Sequence, residues 1–316
     1  MHHHARLTRI GTIALTAVAL VGCAQTMAQT AVATPVDAVT SKGDQPAPDG
    51  KRWQYGSGEA AGATIQAWRA LADYALARAA EAPEHSVVMG LPDSTGGITT
   101  GSVPCTAADG TRKPPAIIID ADDTAIQNQG FAYWQAMNDG AYDVNVWTDY
   151  MATGAQQITP VPGAVTGIRR LREGGITVIF NSNRDNIYVG GTIAMIEAAG
   201  LGTPIHGQDL FLRGDDDMGS RKDGRCAHVA AKYCVLALAG DNLGDFADIF
   251  NFSDLPVLER RQLAARGALA QLWGNGWFMM ANASYGAWEK GTIHEIFAPE
   301  SRWQPSSSSS QAGKGE

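Results

Sequence analysis

Short, dense apolar runs alternate along the chain with longer stretches in which apolar residues recur every three or four positions. Ala116-Ile117-Ile118-Ile119, Gly175-Ile176-Thr177-Val178-Ile179-Phe180 and Cys234-Val235-Leu236-Ala237-Leu238-Ala239 are runs of the first kind. They are rich in β-branched residues and bounded by Pro, Gly or polar groups, as expected of strands buried on both faces of a parallel sheet. Leu210-Phe211-Leu212 and Trp277-Phe278-Met279-Met280 are shorter candidates. Residues 63–80 carry Ile65, Trp68, Leu71, Ala72, Ala75 and Leu76 at helical spacing. A second helix follows Pro162-Gly163 with Val165, Ile168 and Leu171, a third covers 187–199 despite Gly190 and Gly191, and a fourth closes over 229–233. Strands alternating with helices predict an α/β fold, a doubly wound parallel sheet. A small helical cap is expected from residues before Ile117 and after Phe246. Residues 92–114, full of Gly, Ser, Thr and Pro, read as loop.

The ends of the chain look different. Residues 23–55 are rich in Ala, Thr, Pro, Gly and Asp and read as a flexible tether, and residues 301–316, with the serine run 306–310, as a disordered tail. One globular domain is left between them, residues 56–300, and it contains no internal repeat. At the start, Arg6 and Arg9 precede an apolar run over 10–21. It is too short to span a bilayer and suits the core of a signal peptide. It ends in Leu20-Val21-Gly22-Cys23, which resembles a bacterial lipobox. That resemblance implies removal of residues 1–22, lipidation of Cys23 and a place in the bacterial cell envelope, in the outer membrane or facing the periplasm. A plain secretory signal cut near Ala28 is the alternative.

Composition narrows the function classes. With 45% hydrophobic residues, 18% charged residues and a net charge of −8, the chain is globular and has no electrostatic basis for holding a nucleic-acid polymer. Beyond the signal lie Cys105, Cys226 and Cys234. An oxidising compartment allows one disulfide among them and leaves one thiol over; their spacing does not say which, and it matches no metal site. The seven histidines form no ligand set, which speaks against zinc or a histidine nucleophile.

In open α/β sheets ligands bind beyond the carboxyl ends of the strands. There this chain reads Asp120-Ala121-Asp122-Asp123-Thr124, Asn181-Ser182-Asn183-Arg184 and Gly240-Asp241-Asn242-Leu243-Gly244-Asp245, with Lys222 in the basic segment between the last two. Carboxylates gathered at one sheet edge repel one another unless a cation lies between them. Oxygen donors alone favour a hard ion such as Mg²⁺, which keeps several waters and shares its shell with substrate phosphate. Asp241 and Asp245, four apart, can face one site.

These four ordered motifs resemble the haloacid dehalogenase superfamily, and more closely the bacterial class C acid phosphatases of the surface lipoprotein e family, which are 5′-nucleotidase-like. The likeness runs over 117–288 and includes Trp147–Met151, Pro162-Gly163 and the stretch 282–288. It implies a nucleophile at Asp120, a general acid and base at Asp122, a phosphoryl-binding hydroxyl at Ser182 and a charge-stabilising cation at Lys222. It implies Mg²⁺ held by Asp120, Asp241 and Asp245 and by the backbone carbonyl of Asp122. Asn183 and Arg184 would support the substrate pocket, and Trp147 and Tyr285 would stack on a nucleoside base. The expected partners are a small phosphorylated substrate, nucleotide or aryl phosphate, and a membrane reached through Cys23; a homodimer stays open. Asp123 stands where the family usually has Glu, and Gln127 where it usually has Asp. The rival readings are a haem- or nucleotide-binding lipoprotein without turnover, and a phosphotransferase using the same site.

Overall fold

Nine strands and eight longer helices organise the chain in the computed structural model, which describes residues 42–305 apart from 96, 141, 253 and 254. The signal segment, Cys23, the first part of the tether and the serine run lie outside the described residues. The strands are β1 (Met89–Pro92), β2 (Ile98–Gly101), β3 (Pro115–Ile119), β4 (Ile126–Gln127), β5 (Thr159–Pro160), β6 (Thr177–Asp185), β7 (Leu210–Arg213), β8 (Cys234–Gly240) and β9 (Trp277–Met279). The helices are α1 (Asp49–Gly56), α2 (Gly58–Glu81), α3 (Gln129–Met137), α4 (Val144–Thr153), α5 (Ala164–Glu173), α6 (Val189–Ala198), α7 (Asp223–Lys232) and α8 (Val257–Ala265).

The apolar runs meet in one five-stranded sheet of order β7-β6-β3-β8-β9, parallel throughout. β3 is central: Ile117, Ile118 and Ile119 are in register with Val178, Ile179 and Phe180 on one side and Ala237, Leu238 and Ala239 on the other. Side chains alternate across a strand, so the isoleucines divide between two cores. Ile117 and Ile119 pack with Trp68, Leu71, Ile168 and Met195 from α2, α5 and α6. Ile118 packs with Val229 of α7, Phe246 and Trp277. Helices therefore cover both faces, and the doubly wound α/β fold is the one observed. Full burial of a side chain such as Leu71 contributes about 1.5–3 kcal/mol, so this double packing is the main source of stability.

Several local readings change. Residues assigned to the tether are structured from Lys42 on, with α1 built from 49–56; its residues are polar in sequence, and it forms because it docks. The stretch 92–114 includes β2, paired antiparallel with β1 in a small hairpin. β6 continues past its apolar part through Asn181-Ser182-Asn183-Arg184-Asp185. The helix at 187–199 does form, as α6, and Gly191 has a packing reason: a Cβ there would come within 1.9 Å of the Met151 carbonyl. The helical cover over the carboxyl ends is also drawn differently. α2 flanks the sheet, whereas α3 and α4, inserted between β4 and β5, stand over the strand ends beside α1 and the 282–290 segment. The disulfide joins Cys105, after β2, to Cys234, the first residue of β8; Cys226 is a buried free thiol.

Candidate active site

The turn after β3 is tight and well tied down. Asp120 N donates to the carbonyl of Ala239 on β8 (2.9 Å), and Ile126 N and Ala125 N both donate to the carbonyl of Ala121 (2.9 Å). Asp123 takes a left-handed φ of 51° to close the turn, a conformation Asp tolerates better than most residues. Trp68 of α2 buttresses it by donating Nε1–H to the carbonyl of Thr124 (3.2 Å).

Lys222 caps the start of α7 and points into this turn. Its backbone N donates to Asp248 Oδ1 (3.0 Å), and its Nζ donates to Asp120 Oδ1 and to Asp245 Oδ1, the latter at 2.8 Å. Asp245 reaches the strand end because residue 240 is glycine: a Cβ there would lie 2.3 Å from the Asp245 side chain. Its other oxygen accepts from Asn242 N (2.8 Å). Asp241 accepts from Asn282 Nδ2 (2.6 Å) and from Thr124 Oγ1 (3.3 Å). Asp120, Asp241 and Asp245 thus converge, with one carboxylate oxygen of each within 4.8 Å of the others.

The electrostatics of this group call for a cation. Burial, then the charges of Asp245 and Asp241, push the Asp120 carboxyl well above its ordinary value, with Lys222 opposing them. Burial and the neighbouring charge of Asp245 push Asp241 up to about 8. Asp120 and Asp245, in turn, hold the Lys222 ammonium above its ordinary range against the cost of its burial. One ammonium faces three carboxylates, all oxygen donors, and the group is suited to share a divalent ion.

The Asp122 carboxylate does not join that group. It turns toward Arg184, whose Nε lies 3.1 Å from both of its oxygens and whose Nη2 donates to Oδ1 at 2.7 Å, and it also accepts from Asn128 Nδ2 (2.6 Å). Burial would raise its pKa, but the charge and hydrogen bonds of Arg184, with Asn128, bring it below the usual carboxylate range. Any contact of Asp122 with a metal would therefore come from its backbone.

Three further residues singled out in the sequence lie on the polar end of β6. Ser182 is fully enclosed: β6 alternates, and on the Arg184 side of the strand the Ser182 Oγ lies beneath the surface, accepting from the Arg184 amide (3.1 Å). Arg184, expected to support the substrate pocket, directs its donors inside the protein to Asp122, Asn128 and the sulfur of Met195, and its side chain is only 1% exposed. Asn183 lines the site but also accepts from Nη2 of Arg225, a buried arginine of α7 (2.7 Å).

Trp147 and Tyr285 do come together. Both border the cavity of about 340 Å³ that holds Asp120, Lys222, Asp241 and Asp245, and both border a neighbouring cavity of about 1090 Å³. Trp147 is fixed by Phe131, edge-on at 4.9 Å, and by the Arg184 guanidinium 5.6 Å from its ring centre. Residues around this larger space that sequence reasoning missed include Lys51 and Tyr55 of α1, Phe131 of α3 and Trp288. Lys51 Nζ donates to Gln135 Oε1 (2.9 Å), and Tyr55 OH donates to Asp123 Oδ2 (3.4 Å). Burial and the charge of Asp122 raise Asp123 to about 7. No local pattern marks α1 as part of a site; only docking against α3 and 283–284 brings it there.

Known proteins share this fold. The family model for the HAD superfamily, subfamily IIIB (acid phosphatase), matches residues 98–288, more than half of the chain. Two solved structures of the class C acid phosphatase from Bacillus anthracis, one of them with tungstate bound, are similar in fold. Each is 21% identical, with TM-scores of 0.56 and 0.55, covering 76% of this chain and 85% of the other. The chain therefore belongs to the subfamily IIIB acid phosphatases of the HAD superfamily and is a phosphoric monoester hydrolase.

Proposed function

We propose that the chain hydrolyses small phosphate monoesters, 5′-nucleotides and aryl phosphates, with Mg²⁺ and through an aspartyl-phosphate on Asp120. The observation that carries this reading is the convergence of Asp120, Asp241, Asp245 and Lys222 at the carboxyl end of the central strands. Asp120, Asp241 and Asp245 would hold the metal through carboxylate oxygens and Asp122 through its backbone carbonyl. Bound there, Mg²⁺ supplies charge neutralisation and orientation of the phosphate.

A free oxygen of Asp120 attacks phosphorus as the bond to the leaving oxygen breaks, and Asp122, entering this step in its protonated form, gives its proton to that oxygen. Asp122 then takes a proton from water, which attacks the same phosphorus and releases inorganic phosphate from Asp120. Lys222 holds the Asp120 carboxylate in place and offsets charge developing on the phosphoryl group. The leaving group lies between Trp147 and Tyr285, whose ring faces accept any base. Ser182 acts from beneath, as acceptor for the Arg184 amide. Tungstate, bound in one structural neighbour, is a tetrahedral oxyanion like phosphate and fits this reading of the site.

The test is turnover of 4-nitrophenyl phosphate with and without EDTA, in the wild type and in Asp120→Asn. Chelation should abolish activity and Mg²⁺ restore it. Asp120→Asn should lower kcat by about 10³-fold or more with an unchanged melting temperature. Near-normal turnover in that variant would remove the nucleophile. The anchor at Cys23 belongs to the same proposal: dissolved phosphate esters cross membranes poorly, so an enzyme held in the envelope meets them first. Cys23→Ser should move the activity from the membrane to the soluble fraction, and an unchanged distribution would count against lipidation.

A further inference from the structure

We propose that Arg184 is a positioning residue that joins general-acid delivery to leaving-group recognition, by holding Asp122 and Trp147 with one guanidinium. The inference rests on the acid and base role proposed for Asp122. Its basis is geometric. Arg184 is one of the most completely buried cations in the described part of the chain, and each of its three nitrogens has a partner. Nε and Nη2 meet Asp122, Nη2 also meets Asn128 Oδ1 (2.8 Å), and Nη1 meets Met195 Sδ (3.0 Å). Asn128 in turn donates to the same Asp122 oxygen that Arg184 grips. A planar guanidinium bound in this way fixes the plane of a carboxylate as well as its position, which an ammonium cannot do.

The same guanidinium sits 5.6 Å from the centre of the Trp147 ring, within cation–π reach. Trp147 and Asp122 both border the cavity that contains Asp120. The carboxylate that must meet the leaving oxygen and the indole that must meet the rest of the leaving group therefore share one support. Arg184 borders the same cavity, but its side chain is only 1% exposed and the donors named above are directed at Asp122, Asn128 and Met195, so it acts through the two side chains it holds. Its place at the end of β6, with its amide tied to Ser182 Oγ, makes that support part of the sheet rather than of a loop.

Leaving-group chemistry separates this role from a merely structural one. Expulsion of a nucleoside 5′-alkoxide needs a proton; expulsion of 4-nitrophenolate scarcely does. The experiment measures kcat/KM, which reports phosphoryl transfer to Asp120, on a 5′-nucleotide and on 4-nitrophenyl phosphate. The enzymes are wild type, Asp122→Asn, Arg184→Lys, Arg184→Met and the Asp122→Asn/Arg184→Lys pair. Asp122→Asn should lose about 10³-fold on the nucleotide and far less on the aryl ester. Arg184→Lys should lose about 10²-fold on the nucleotide, as expected for a misplaced catalytic group, and less than about threefold on the aryl ester. Added to Asp122→Asn, it should cost little more on the nucleotide, because the group it positions is already gone.

Selective loss in Asp122→Asn together with uniform loss in Arg184→Lys, or full additivity in the pair, would overturn the role of Arg184 and leave the reading of Asp122 standing. Equal losses on both substrates in Asp122→Asn would overturn that reading, and the role of Arg184 with it. If Arg184→Met does not fold, Arg184→Lys, which keeps the buried charge and stem, carries the test.

Discussion

At the residue scale the site depends on which side chain each carboxylate faces. Asp120 and Asp122 are two positions apart, yet one faces Lys222 and the carboxylates of Asp241 and Asp245 and the other faces Arg184. That division suits the roles proposed for them, one attacking while the other handles the proton. The two residues themselves were legible in sequence, because a β-branched run stops on them and three further motifs follow in the order of the resembled family. The partner of Asp122 was not, since Arg184 lies 62 positions along the chain and periodicity does not report which strand-end side chains meet. The aromatic pair gives a prediction at this scale. Trp147→Ala should raise KM for a 5′-nucleotide about tenfold, the order expected for losing one stacked base, and should barely change KM for 4-nitrophenyl phosphate. Equal changes on both substrates would make Trp147 a packing residue.

At the scale of elements, the central strands and flanking helices could be read from their two periods, 2 and 3.6. The cover over the site could not. α1 lies in a stretch of low hydrophobicity, and α3 and α4 owe their positions to an aromatic cluster of Phe131, Trp134, Trp147 and Tyr150 that forms only when the helices meet. The link between the β1–β2 hairpin layer and β8 was likewise invisible, because three cysteines allow three pairings. The Cys105–Cys234 bridge encloses a separation of 129 residues. Cys105→Ala should therefore lower the unfolding free energy by about 3–5 kcal/mol, read as an earlier denaturant midpoint. A loss of less than a tenth of that free energy would mean the bridge adds little to the fold.

The start of α7 carries a second element-scale prediction. Asp223 accepts from Asp248 N (3.0 Å), while Asp248 accepts from Lys222 N and Asp223 N, so two buried carboxyls cap each other's backbone. Burial and the charge of Asp248 raise Asp223 from the ordinary 3.8 to about 7. The folded protein thus holds this proton more tightly than the unfolded chain does. Its stabilising effect is complete below pH 4 and is lost as pH rises toward 7. Asp223→Asn should flatten the fall in melting temperature between pH 4 and 7. An unchanged slope would show that the pair does not titrate in that window.

For the whole molecule, a five-stranded parallel sheet brings acidic residues from the ends of β3 and β8 to one edge, and α7 supplies the cation that keeps them together. The sheet sets the positions, the helical cover sets the size of the space beyond them, and the buried disulfide ties the layer beneath. The function proposed here unites these levels in an Asp120 oxygen directed at phosphorus while its neighbours share a metal. The most direct test is to quench the enzyme during turnover of 4-nitrophenyl phosphate with Mg²⁺, reduce it with borohydride, and map the peptides by mass spectrometry. An aspartyl-phosphate is reduced to homoserine, so the modification should appear at Asp120 and nowhere else. Steady turnover with Asp120 unmodified, or homoserine at a different aspartate, would contradict a nucleophilic role for Asp120.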